Sequence, residues 1–255
     1  MIKDLKLLSK GIVIGREQRV SSIHLYEDFF NVVGRFAPMV GTDNRKPAIV
    51  VNSLIIIFVA YSMLNLVFQF VKVVDFGTFL HPLLYYTNWS NILSAAAAAC
   101  YLFCIFKGVR MPKAIAVLKL ASVMMLTVTF LVVVFILCPQ LGWAILYDVG
   151  GMIFLHLIVP VLAVIDILLL ADIDEFGRRD VFLAVMPMIC YAIGIVIILL
   201  VTGSDDLAPY PFLRIHSQPV YETVLWFIGL FLLGLGLSYM YSRLVKRFNS
   251  YVAGN

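Results

Sequence analysis

Six apolar stretches run through this chain at about residues 49–71, 82–106, 114–138, 150–171, 181–202 and 222–242. Each is close to the roughly 20 residues that an α-helix needs to cross bilayer hydrocarbon. Inside that hydrocarbon no water is available to backbone N–H and C=O groups, and a helix satisfies them within itself. The expected fold is therefore all-α: a polytopic membrane protein built as a bundle of six transmembrane helices. Composition excludes the soluble alternative, since 62% of the 255 residues are hydrophobic, 13% are charged and the mean hydropathy is +1.00.

Lysine and arginine give the expected orientation. Of the 19 basic residues, 17 fall before the first stretch, in and around the second connection (Lys119 just inside the third stretch), in the fourth connection and after the last stretch, against 2 in the first, third and fifth connections. Both termini are expected in the cytoplasm, with the fifth connection facing outward. The chain is expected to be integral to a membrane. Topology accounts for the formal charge of +4, so no nucleic-acid partner is inferred. Residues 1–47 form a cytoplasmic arm, 48–244 the membrane domain and 245–255 a cytoplasmic tail. The arm shows no secretory signal pattern. Within it Ile23, Tyr26, Phe30 and Val33 recur at helical spacing, which fits an interfacial amphipathic helix or a helix packed on the protein's own loops.

Polar residues inside apolar stretches are costly and mark either interhelical bonding or a site. The first stretch carries Asn52, Asn65 and Gln69, expected to point into the bundle. The second opens on His81-Pro82-Leu83-Leu84-Tyr85-Tyr86-Thr87-Asn88-Trp89-Ser90-Asn91. With Pro82 as the first helical residue, Thr87 lies about 8 Å below the outer end and Asn91 one turn further on the same face. The fourth carries His156, about 9 Å down from Gly150 by the same rise. Pro160 follows four residues later and has no N–H for the His156 carbonyl. A lone Thr bonding its own helix and a lone His satisfied in a core are the bland accounts of these residues. Asp166 lies about 15 Å beyond His156 and is expected to pair with a loop base such as Arg178, Arg179, Lys107 or Arg110.

Other features read as packing. Ala95 to Ala99 and Gly229, Gly234 and Gly236 permit close helix approach. Cys100, Cys104, Cys138 and Cys190 read as small buried hydrophobes without a ligand set for a metal. Asp172, Asp174 and Glu175 read as a solvated turn, since their spacing makes no calcium loop. In the fifth connection Tyr210-Pro211-Phe212-Leu213 is either an aromatic interfacial anchor or a lid over a cavity formed by the outer halves of the second and fourth stretches.

Three elements carry a resemblance: Tyr85-Tyr86-Thr87-Asn88-Trp89-Ser90-Asn91, His156 with Pro160, and Tyr210-Pro211-Phe212-Leu213. Over roughly residues 75–244 the chain resembles the predicted six-transmembrane family of bacteria. It also resembles the animal androgen-induced and androgen-dependent tissue-factor-pathway-inhibitor-regulating proteins. That resemblance implies an intramembrane hydrolase of fatty acid esters of hydroxy fatty acids, with Thr87 as nucleophile, His156 as base and no cofactor. Asn88 and Asn91 are then candidates for oxyanion donors, and Tyr86, Tyr210 and Phe212 for lipid contacts. The alternative of another class is a non-enzymatic lipid-binding or transport protein that uses the same polar groups; a purely structural subunit is the third.

Overall fold

The computed structural model describes residues 45–71, 81–147 and 152–253. The arm's amphipathic segment lies outside the described residues. Every regular element described is helical: α1 (Arg45–Val71), α2 (Tyr86–Lys107), α3 (Lys113–Leu141), α4 (Phe154–Leu170), α5 (Arg178–Thr202) and α6 (Val220–Ala253). Five of them are long and apolar enough to cross a membrane, whereas α4 is apolar but shorter.

The third helix is the axis of the bundle. It is apolar all round, the pattern of a helix buried on every side, and Leu120, Val123, Met124 and Leu126 are fully buried. Around it pack α2, α4, α5 and α6, while α1 lies against α2 and α4. The outer surface is apolar as well. Val50, Ile57, Leu64 and Phe68 form an exposed row along α1, and Ile193, Ile197, Leu200 and Val201 do so on α5. Contiguous apolar surface on this scale suits hydrocarbon rather than water. It also explains why Cys100 and Cys190 are exposed rather than buried as expected, with only Cys104 and Cys138 in the interior. A thiol is apolar enough for either place.

Prolines shape two of the helices in the same way. Phe135 and His156 stand four residues before Pro139 and Pro160, so neither carbonyl can receive its usual N–H. Each is the middle residue of a π-helical turn, Val133–Leu137 and Phe154–Ile158. There the chain widens to a five-residue ladder, closed by Cys138 N–H to Val133 O and by Val159 N–H to Phe154 O. The proline defect is thus absorbed as a local bulge. A further π-turn, Asp166–Leu170, ends α4.

Several boundaries and contacts differ from expectation. Pro82 belongs to a separate 3₁₀ turn, His81–Leu84, and α2 starts only at Tyr86, so Thr87 sits in its first turn. The last helix runs to Ala253 with Val245 and Phe248 buried, so residues 245–253 continue the bundle rather than forming a tail. Asn65 donates to Tyr61 O of its own helix instead of reaching a neighbour. Among the three glycines of α6, only Gly234 makes a close approach: an added Cβ would stand 3.0 Å from Met188 Sδ, while Gly229 and Gly236 have open space.

One end of the bundle is a collar of ion pairs. Asp174 pairs with Arg110 at 2.5 Å, Glu175 with Lys246 at 2.7 Å and Asp180 with Lys113 at 3.1 Å. The acidic turn after α4 is therefore held by Arg110 and Lys246, and by Lys113, which donates to Glu175 O, rather than by solvent alone. Exposed pairs of this kind contribute little individually.

Candidate functional site

The opposite end holds the Thr87 cluster. Tyr85 is the N-cap of α2, with extended backbone and no side-chain cap, so the first turn must find partners for its N–H groups elsewhere. Those of Asn88 and Trp89 reach Tyr85 O. That of Thr87 donates to the Tyr210 hydroxyl at 3.3 Å, and Thr87 Oγ1 lies 3.5 Å from the same oxygen. A phenol 123 residues away in sequence thus caps this helix. The Thr87 carbonyl is also engaged, accepting from Ser90 Oγ at 2.8 Å and Asn91 Nδ2 at 2.8 Å. Thr129 of α3 completes the row, 3.0 Å from Ser90 Oγ. Thr87 therefore does not bond its own helix as a lone threonine would; its hydroxyl faces the tyrosine.

Beside this pair lies a cavity of about 230 Å³. Tyr86 and Thr87 line it from α2, Thr129 and Val132 from α3, Met188 and Tyr191 from α5 and Phe227 from α6, with Tyr210 and Phe212 over it. The loop covers this cavity, with Tyr210, Phe212 and Leu213 all buried, but the walls come from α2, α3, α5 and α6 rather than from α2 and α4 as expected. Tyr210 stacks on Phe212 at 5.2 Å, Phe212 on Trp226 at 5.0 Å, and the Tyr85 ring meets Tyr210 edge-on at 5.9 Å. Such ring pairs add to area burial. Gln218 Nε2 donates to Phe212 O and the His216 ring lies 3.0 Å from Leu199 O, fixing the loop to α5. The walls are almost wholly apolar. Tyr191 donates to Leu84 O at 2.7 Å, whereas the Tyr86 hydroxyl is buried without a partner.

His156 is 6% exposed, at the middle of its π-turn, and its Nδ1 is buried without a hydrogen bond. It does not line the Thr87 cavity, and no hydrogen bond joins it to Thr87 among the described residues. The link between the two helices is Asn91, which also donates to Leu155 O at 3.2 Å. Asn91 thus commits both amide hydrogens to carbonyls, and Asn88 donates to Pro82 O at 2.6 Å. Asn91 therefore has no amide hydrogen left over for an oxyanion, whereas Asn88 uses one of its two. The hydroxyl that does face Thr87 is that of Tyr210. Tyr191 and Thr129 escaped sequence reading because each is a single polar residue within an apolar helix, and nothing in the chain marks which face it takes.

A second polar cluster joins α1, α3 and α4. Asp166 pairs with Lys119, not with a loop arginine as expected. Both side chains are 4% exposed. Asn52 Nδ2 donates to the second carboxylate oxygen at 2.6 Å, and Asn52 Oδ1 accepts from Lys119 at 3.0 Å. The ammonium lies 4.5 Å from the Tyr101 ring centroid, and Tyr101 donates in turn to Leu170 O. Every charged atom of this cluster has a partner. Lys119 had counted among the bases of the second connection; here it is an interior residue of α3. Among the described residues no group of three His, Cys, Asp or Glu side chains is placed to hold a metal.

The all-helical bundle, its apolar outer surface and its buried ion pair define an integral membrane protein. No protein-family model, curated protein or solved structure matches the chain.

Proposed function

We propose that this protein binds a lipid or other acyl-chain ligand within the membrane, its hydrocarbon in the lidded cavity and its polar group at Thr87 and Tyr210. One observation carries this reading: the hydroxyls of Thr87 and Tyr210 meet at 3.5 Å on the wall of a largely apolar cavity of about 230 Å³. Apolar walls with a few placed polar groups are the usual build of a small-molecule site. Six membrane crossings with both termini cytoplasmic accompany the proposal. The uneven spread of basic residues along the chain and the gathering of ion pairs at the end away from Thr87 support that orientation. A bacterial plasma membrane rests on the resemblance.

Ester hydrolysis is the second reading, favoured by Thr87 on the cavity wall and by the unpartnered Nδ1 of His156. Thr87 Oγ would attack the acyl carbon, its proton passing to His156 and then to the departing alkoxide; water would release the acyl group from Thr87. The reading requires His156 to move within hydrogen-bond reach of Thr87, a tightening that catalytic groups undergo around substrate.

Purification of the full chain in mild detergent, followed by lipid extraction and mass spectrometry, tests the first reading. Wild type is expected to retain an acyl-chain lipid. Thr87→Val should weaken retention about tenfold, within the 1–3 kcal/mol of a buried polar group left unsatisfied. Absence of retained lipid in wild type, with no uptake from added fatty acid, would overturn it. Labelling by a fluorophosphonate that disappears in both Thr87→Val and His156→Ala is the result expected of the hydrolase; lipid retention without any labelling leaves binding alone.

A further inference from the structure

Both α2 and α5 pack on α3, and between them a second cavity of about 590 Å³ opens on the outer surface of the bundle. That volume is within the roughly 300–1,000 Å³ of small-molecule sites. Its rim is exposed at Leu83, Trp89, Cys190 and Ile198, the surface that faces hydrocarbon in a membrane. Two residues of α5, Tyr191 and Ile195, line this groove and the Thr87 cavity alike. Tyr191 and Ile195 thus stand between the two spaces. Tyr191 is held there by hydrogen bonding to Leu84 O and the Tyr86 backbone and by the edge of the Tyr86 ring at 5.1 Å. Pro187 and Gly194 on the same wall leave the groove wide, and a Cβ at Gly194 would meet nothing within 4 Å.

We propose that the ligand's hydrocarbon chain enters the Thr87 cavity sideways from the bilayer, through the groove between α2 and α5, with Tyr191 as its gate. The proposal rests on the lipid-binding reading above and adds the route. An acyl chain fits the groove because it is open to hydrocarbon, apolar along its rim and parted from the cavity at the side chains of Tyr191 and Ile195. Swinging Tyr191 aside breaks only neutral hydrogen bonds and a ring contact.

Gly194→Phe fills the groove while leaving Thr87, Tyr210 and the cavity untouched, and it replaces a residue of low helix propensity by a better one. The full chain in phosphatidylcholine nanodiscs is mixed with a diazirine-bearing fatty acid and photolysed at intervals. Adducts are counted on the Val128–Val133 stretch of α3, where Val128, Val132 and Val133 are buried. In Gly194→Phe the adducts should appear at least tenfold more slowly than in wild type, with the same final yield and an undiminished unfolding temperature. A bulky maleimide on Cys190 in a Cys100→Ser background should slow them likewise, by chemistry that leaves the backbone of α5 unaltered. Equal rates in wild type and both blocked forms would overturn the lateral route while the cavity reading stands. Absence of adducts in wild type would overturn the cavity reading, and the route with it.

Discussion

Asp166→Ala is expected to destabilise the bundle by about 3–5 kcal/mol, the cost of leaving one partner of a buried ion pair without the other. The pair is deep in the structure, each side chain 4% exposed, and the remaining Lys119 would keep only Asn52 Oδ1 and the Tyr101 ring. Lys119→Ala should cost a similar amount by stranding the carboxylate. The cluster spans three helices, so its loss loosens α1, α3 and α4 together. The double variant Lys119→Met/Asp166→Leu separates charge from packing. Taking both charges out of the interior removes their desolvation cost as well as their attraction, so it should lie within about 1–2 kcal/mol of wild type. Unfolding of the detergent-solubilised protein in dodecyl sulfate, followed by circular dichroism, measures all three. Single variants no worse than the double would show that the pair carries no stability.

The same cluster shows where sequence reading stopped. Hydropathy located six helical segments to within a few residues at most ends, because an apolar run of spanning length has few other solutions. It treated Lys119 as a loop base, since charge counting along the chain takes no account of which face of a helix a residue occupies. Asp166 was recognised as an interior carboxylate, but the partner lies 47 residues away on a neighbouring helix, and only packing brings them together. Pro160 was legible as a fault in the backbone; that the fault becomes a π-turn, as it also does before Pro139, is a property of the ladder. At the candidate site Thr87 and Tyr210 were both singled out, yet their contact was not. The depth argument matched Thr87 with His156, whereas the later start of α2 puts Asn91 beside the carbonyl that precedes His156. A helix start displaced by one turn was enough to change the partner.

Phe212→Ala is expected to cost about 3–5 kcal/mol, as large-to-small changes at buried aromatics do, and to abolish ligand retention. Its ring is the middle of the stack from Tyr210 to Trp226, and it covers the cavity. Truncation opens the lid and frees the Tyr210 ring that caps the first turn of α2. Tyr210→Phe provides the contrast, because it keeps the ring and deletes only the hydroxyl. That change leaves the Thr87 N–H without its acceptor, for about 1–3 kcal/mol, with the lid closed. If the cavity holds the ligand chain and the hydroxyl its polar group, Phe212→Ala should lose binding of every acyl ligand. Tyr210→Phe should instead weaken ligands bearing a polar head more than those without one. Competition of fatty acids and their alkane counterparts for the diazirine adducts on α3 measures that difference. Equal weakening of both kinds by Tyr210→Phe would mean that the hydroxyl serves only as a helix cap and reads no part of the ligand.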